Sequence, residues 1–74
     1  MTEEELFDRC TLAYLRSVKR RRRVPQQPSW GDSDVIFHRG GTATVVLSNM
    51  NGVLAGFKVY RRSGQVVRLR LAAG

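Results

Sequence analysis

The chain has 74 residues, of which 42% are hydrophobic and 26% are charged, and its formal net charge is +7. This length suits a single domain (1–74) with a thin core, and this composition argues against overall disorder. No run of about 18 apolar residues occurs, so we expect no transmembrane helix and no membrane insertion. The acidic N-terminus lacks the apolar segment of a secretory signal and Cys10 is the only cysteine, which together favour a cytoplasmic protein.

The charges are distributed unevenly along the chain. Four acids, Glu3, Glu4, Glu5 and Asp8, lie within the first eight residues. The rest of the chain holds all 13 Lys and Arg residues against two Asp residues. So strong a positive field favours polyanionic partners.

Residues 2–23 are predicted to form an N-terminal helix. Thr2 and Glu5 have the spacing of a capping box, and the acids of the first turn and the cations of the last suit the helix dipole. Pro25 disfavours helical backbone at the residue before it, so the helix is predicted to end two or three residues earlier than this proline. Apolar side chains recur at steps of three and four residues and predict a buried stripe: Leu6, Phe7, Cys10, Ala13, Tyr14 and Val18.

Residues 24–33, which include two prolines and two glutamines, are predicted to link the helix to a sheet (34–71). Trp30 in this linker is interpreted as a lid over one end of the core, with a ligand-binding aromatic as the alternative. Four stretches of strand character follow, separated by RGG, MNG and RSG: 34–38, 42–49, 53–61 and 65–71. The sequence therefore predicts an α+β fold, with one helix packed on a four-stranded antiparallel β-meander (α-β-β-β-β).

The register of this sheet depends on the lengths of its turns. If each turn has three residues with glycine third, odd-numbered residues share one face and even-numbered residues the other. Twelve odd-numbered residues on that face are apolar, and we expect the helix to cover them: Val35, Phe37, Ala43, Val45, Leu47, Val53, Ala55, Phe57, Val59, Val67, Leu69 and Leu71. The opposite face is predicted to combine Lys58, Tyr60, Arg62, Arg68 and Arg70 with several apolar residues: Ile36, Val46, Leu54 and Val66.

Two groups of residues are candidates for binding. The first is the run Lys19, Arg20, Arg21, Arg22 and Arg23 at the helix end, which exceeds the two cations that would satisfy the helix dipole. We interpret it as a phosphate-contacting cluster in preference to a membrane-surface segment, because the sheet already needs the apolar stripe. The second is the predicted basic sheet face: Lys58, Tyr60, Arg62, Arg68 and Arg70.

Three interpretations of the basic sheet face remain open. It is a solvated surface, a nucleic-acid interface in which cations flank the Tyr60 ring, or a protein interface. A homodimer through this face would bring like charges together, which opposes it.

Catalysis has little support in the sequence. His38 has no evident carboxylate or nucleophile beside it, and Cys10 lies on the apolar stripe, so we predict no catalytic residue, no metal site and no cofactor. The sequence therefore predicts a small basic non-enzymatic protein that binds RNA or DNA through phosphate contacts with low sequence selectivity. The alternative is an accessory subunit or adaptor that docks on an acidic protein partner.

Overall fold

The structure, a computed structural model, describes residues 1–70. It contains a helix, a short 3-10 turn (Trp30–Asp32) and four strands: α1 (Glu3–Arg20), β1 (Asp34–Phe37), β2 (Thr42–Asn49), β3 (Gly52–Tyr60) and β4 (Gln65–Leu69). The strands form one antiparallel sheet in the order β1-β2-β3-β4. The predicted α+β fold, one N-terminal helix on a four-stranded antiparallel meander, is confirmed. Leu71 of the predicted last strand lies outside the described residues.

The start of α1 is the predicted capping box. The Thr2 hydroxyl accepts a hydrogen bond from the Glu5 backbone N–H at 3.1 Å, and the Glu5 carboxylate accepts one from the Thr2 backbone N–H at 3.2 Å. The bond from the Thr2 backbone to this carboxylate, with a smaller contribution from the Thr2 side chain, lowers the pKa of the Glu5 carboxyl. Within the part of the chain that the structure describes, no helix is long and apolar enough to cross a membrane.

The end of α1 comes at Arg20, earlier than predicted. Arg22 has a left-handed backbone with φ 54°, and its N–H donates to the Lys19 carbonyl at 3.1 Å. The Arg23 N–H reaches back to the Val18 carbonyl at 3.1 Å. These two bonds form a Schellman motif, which satisfies the last helical carbonyls. The helix therefore ends at this Schellman motif, several residues before Pro25.

The core lies between α1 and one face of the sheet. Four residues of the predicted helical stripe are buried at successive steps of four: Leu6, Cys10, Tyr14 and Val18. They pack against odd-numbered residues of the two central strands: Ala43, Val45, Leu47, Ala55, Phe57 and Val59. The predicted burial of these residues is confirmed.

The first hairpin has the predicted geometry. The His38 N–H donates to the Thr42 carbonyl at 2.9 Å around the three-residue RGG turn. Gly40 and Gly41 have φ of 86° and 82°, a conformation that glycine adopts without steric cost. Val35 consequently lies opposite Val45, as the predicted register requires.

The second hairpin reaches the predicted register by a different route. Its turn has two residues, 50 and 51, and the pairing shifts between Leu47 and Ser48. This irregularity leaves Leu54 without a partner, and Leu47 then lies opposite Ala55 as predicted. Because the strand is displaced there, Leu54 packs against the core, whereas Val53 is 60% exposed. The predicted positions of Val53 and Leu54 are therefore wrong.

The last hairpin differs from the predicted register by one residue. Residues 61–64 form a four-residue turn, closed by a hydrogen bond of 2.7 Å from the Gly64 N–H to the Tyr60 carbonyl. Phe57 then lies opposite Arg68. A shift of one residue reverses the faces of a strand, so even-numbered residues of β4 turn towards α1.

This shift corrects the predicted faces of β4. Val66 lies opposite Val59 and packs against the core, whereas Val67 is 40% exposed. The prediction that Val67 and Leu69 join the core is wrong. The prediction that Arg68 and Arg70 share a face with Lys58 is also wrong.

The turn before β4 is fixed by a contact with α1. The Arg9 guanidinium donates a hydrogen bond to the Gly64 carbonyl at 3.2 Å. Gly64 has φ 78° and is buried, and a Cβ atom there would lie only 2.8 Å from the Arg9 Nη1. Glycine therefore allows the four-residue turn between β3 and β4 to lie directly against the helix.

Candidate nucleic-acid interface

A groove lies between the C-terminal end of α1 and the ends of β3 and β4. Its main part has a volume of about 440 Å³ and is lined by Arg21, Leu54, Ala55, Arg68, Leu69 and Arg70. An adjoining part of about 250 Å³ shares three of these residues and adds Arg23. We call the two parts together the arginine groove, after the four arginines that line it: Arg21, Arg23, Arg68 and Arg70.

The Schellman motif positions the two helix-end arginines of the groove. Arg21 is the last residue before the left-handed turn, and Arg23 is the first residue after it. The residues on either side of this turn, Arg21 and Arg23, both line the smaller part of the groove. The other cations of the cluster are exposed and do not line either part: Lys19, Arg20 and Arg22.

The register of β4 positions the other two arginines. Arg68 lies opposite Phe57 on the face that α1 covers, and its Nη1 donates a hydrogen bond to the Ser17 hydroxyl at 2.9 Å. The long aliphatic stem of an arginine can lie along apolar surface while its guanidinium stays in water. Arg70 follows the end of β4 and lines the main part of the groove beside Arg21.

Among the described residues, the acids at the start of α1 and of β1 lie away from this groove. Glu5 belongs to the first turn of α1, about 24 Å along the helix from Arg21 at 1.5 Å per residue. Asp34 begins β1, which is the opposite edge of the sheet from β4. No acid among residues 1–70 lines either part of the groove. The four groove arginines therefore repel one another, and a bound anion would relieve that repulsion.

The remaining predicted site residues lie elsewhere. Lys58 and Tyr60 are on the sheet face opposite α1, with the Lys58 Nζ 5.1 Å from the centre of the Tyr60 ring. Arg62 belongs to the β3–β4 turn and lines a separate depression together with Tyr60. The predicted basic sheet face is therefore not formed, because Lys58 is the only one of its four cations that the pairing places there.

Ser17 and Leu54 contribute to the groove, and the sequence interpretation missed the role of both. Ser17 lies four residues before Arg21, a spacing that places two helical residues on the same side. That spacing is the signal that could have identified Ser17. Leu54 reaches the groove only because of the irregular pairing of β3, for which the sequence carries no clear signal.

Other residues with reactive side chains are held in ordinary structural contacts. The His38 Nε2 is 2.7 Å from the Thr44 hydroxyl, and Cys10 is fully buried, which raises the pKa of its thiol to about 11. Trp30 is half exposed and its ring meets that of Phe7 edge-on, with the centroids 5.2 Å apart. Within residues 1–70, no group of three or more His, Cys, Asp or Glu residues could hold a metal ion.

A scan against protein-family models and searches of curated proteins and of solved structures find no match to this chain. The arginine groove is therefore interpreted from its own chemistry.

Proposed function

We propose that this protein is a non-enzymatic nucleic-acid-binding protein whose arginine groove contacts the phosphates of RNA or DNA. The observation that carries the proposal is the convergence of four arginines from two distant parts of the chain on one groove. A guanidinium presents its donors in a planar fork that matches the oxygens of a phosphate. Phosphate contacts carry no sequence information, so binding is expected to be weakly selective.

The exposed cations next to the groove extend the surface that a nucleic-acid chain would meet. Lys19, Arg20 and Arg22 come from the same helix end as Arg21 and Arg23. A strand that enters the groove therefore passes further positive charges on the helix side. Lys58, Tyr60 and Arg62 lie outside the groove and have no part in this proposal.

A binding titration at several salt concentrations tests the proposal. Labelled single-stranded oligonucleotides of about 20 residues, one RNA and one DNA, are titrated with protein and followed by fluorescence anisotropy. Each phosphate contact on a single strand contributes about −0.7 to the slope of log affinity against log salt, so four groove contacts give about −2.8. The affinity is then expected to fall about 50-fold between 50 and 200 mM salt.

Two double variants of equal charge locate the contact. Arg21→Gln with Arg68→Gln removes two groove cations and is expected to reduce the slope by about 1.4. The matched control, Arg16→Gln with Arg39→Gln, removes two exposed cations from the body of α1 and the first turn of the sheet. Equal losses in the two variants would contradict the groove as the site. No binding at 50 mM salt would favour the alternative, an adaptor for an acidic protein partner.

A further inference from the structure

The sheet face opposite α1, which we call the outer face, is a surface that the proposed function leaves unused. The strand pairings arrange its residues in three rows across the sheet. The rows run from β1 to β4: His38, Thr42, Tyr60 and Gln65; Ile36, Thr44, Lys58 and Val67; Asp34, Val46, Gly56 and Leu69.

The charge of the outer face differs from that of the protein as a whole. The chain carries a net charge of +7, yet these three rows contain one lysine and one aspartate. Ile36 is 51% exposed, Val67 40% and Tyr60 39%. Ile36 and Val67 lie at the two ends of the middle row, with Thr44 and Lys58 between them. A mixture of exposed apolar and polar side chains with few charges is usual in a non-obligate protein interface. A polyanion would gain little from it.

We propose that the outer face is the interface of a homodimer, in which a second copy of this chain packs its own outer face against it. A two-fold contact brings the same residues together from both copies. Asp34 at the β1 edge and Lys58 on β3 have opposite charges, so each copy offers the other a complementary pair. The repulsion expected for two basic faces does not arise, because Arg68 and Arg70 lie on the helix side.

The size of the outer face determines how strong such a dimer can be. Four strands about 4.8 Å apart and five residues long give a face of about 19 by 17 Å. Two such faces amount to about 650 Å². This area is below the roughly 1,000 Å² of a stable specific interface and predicts a weak, transient dimer.

The dimer is independent of the proposed nucleic-acid binding. Helix α1 and the four groove arginines lie on the other side of the sheet, and of the groove residues only Leu69 also belongs to the outer face. The arginines of both copies therefore stay open to solvent in a dimer. The two proposals can be tested separately. If the chain does not dimerise, each chain still has its arginine groove, and if the groove does not bind nucleic acid, the outer face is unchanged.

Sedimentation equilibrium of the purified full chain, from about 5 to 500 µM in 0.5 M salt without nucleic acid, tests the dimer. The average mass is expected to rise with concentration from that of one chain towards that of two. Val67→Lys places a cation in the middle row of the outer face, where each copy already carries Lys58. This variant is expected to weaken dimerisation at least 10-fold.

Leu12→Lys is the matched control, because Leu12 is 56% exposed on α1 and lies away from the sheet. It should dimerise as the unmodified chain does. Ile36→Lys, at the β1 end of the same row, provides a second disruption if the circular dichroism of Val67→Lys shows that it does not fold. A single-chain mass at every concentration, or equal effects of Leu12→Lys and a folded outer-face variant, would overturn the proposal.

Discussion

Replacing Arg22 with glycine is expected to stabilise the protein. Arg22 holds a left-handed conformation with φ 54°, which costs a non-glycine residue about 1–2 kcal/mol. Glycine avoids that cost but loses more backbone entropy on folding, about 0.5–1 kcal/mol. The expected net gain in the free energy of unfolding is therefore about 0.5–1 kcal/mol, and it raises the Tm of a domain of this size by about 2–8 °C.

The assay is thermal unfolding followed by circular dichroism, with Arg16→Gly as the control. Both variants remove one positive charge by the same substitution, but Arg16 is an exposed residue inside α1. Glycine in the interior of a helix costs about 1 kcal/mol, so the two changes in Tm should have opposite signs. A fall in Tm for Arg22→Gly similar to that for Arg16→Gly would refute the Schellman motif as the end of the helix.

The remaining predictions concern the core. Burial raises the pKa of Cys10 from 9.0 to about 11, so the native thiol should resist iodoacetamide at pH 8 and react once urea unfolds the chain. Because the pKa of Cys10 is raised in the folded state, the contribution of the protonated thiol to stability is complete below pH 9 and is lost as the pH rises towards 11. The urea midpoint should therefore be lower at pH 10.5 than at pH 8. Equal midpoints would contradict this prediction. Leu54→Ala should lower the free energy of unfolding by about 1–2 kcal/mol and Val53→Ala by less than about 0.5 kcal/mol, because only Leu54 packs against the core. The reverse order would contradict the irregular pairing of β3.

The elements that could be predicted from the sequence are those with a strong local pattern. Thr2 and Glu5 fix the start of α1, and the apolar stripe leaves one face of the helix for the core. In β2 and β3, a register one residue away would have placed Phe57 and Val59 in water, so burial alone selected the pairing. Val53 is 60% exposed, because the second hairpin departs there from the alternation of odd and even residues between the two faces.

The pairing of β4 could not be predicted in this way. Its two alternating sets each contain a valine, Val66 in one and Val67 in the other, and the pattern favoured the set without arginine. In the structure the other set faces α1, and the turn before it lies close enough to the helix for Arg9 to bond to Gly64. That contact joins residues 55 positions apart, and no local sequence pattern reports it.

The same limit applied to the candidate site. The cluster at the end of α1 is evident in the sequence as a run of charge. Arg68 and Arg70 belong to the second predicted group, the sheet face that also includes Lys58, Tyr60 and Arg62. Their convergence on one groove was not evident, because it depends on the register of an edge strand. On this edge strand an arginine can occupy the face that α1 covers, because the Arg68 guanidinium extends past the core to the Ser17 hydroxyl of the helix.

The register of β3 and β4 is the basis of both proposals, and nuclear Overhauser effects in the full chain measure it directly. Residues directly opposite in an antiparallel pair lie about 4.5–5.5 Å apart. The structure predicts cross-strand contacts between Phe57 and Arg68 and between Val59 and Val66, together with contacts from the Arg68 side chain to Ser17 of α1. Contacts that instead join Lys58 to Arg68, with no contact between Arg68 and the helix, would contradict both the arginine groove and the absence of arginine from the outer face.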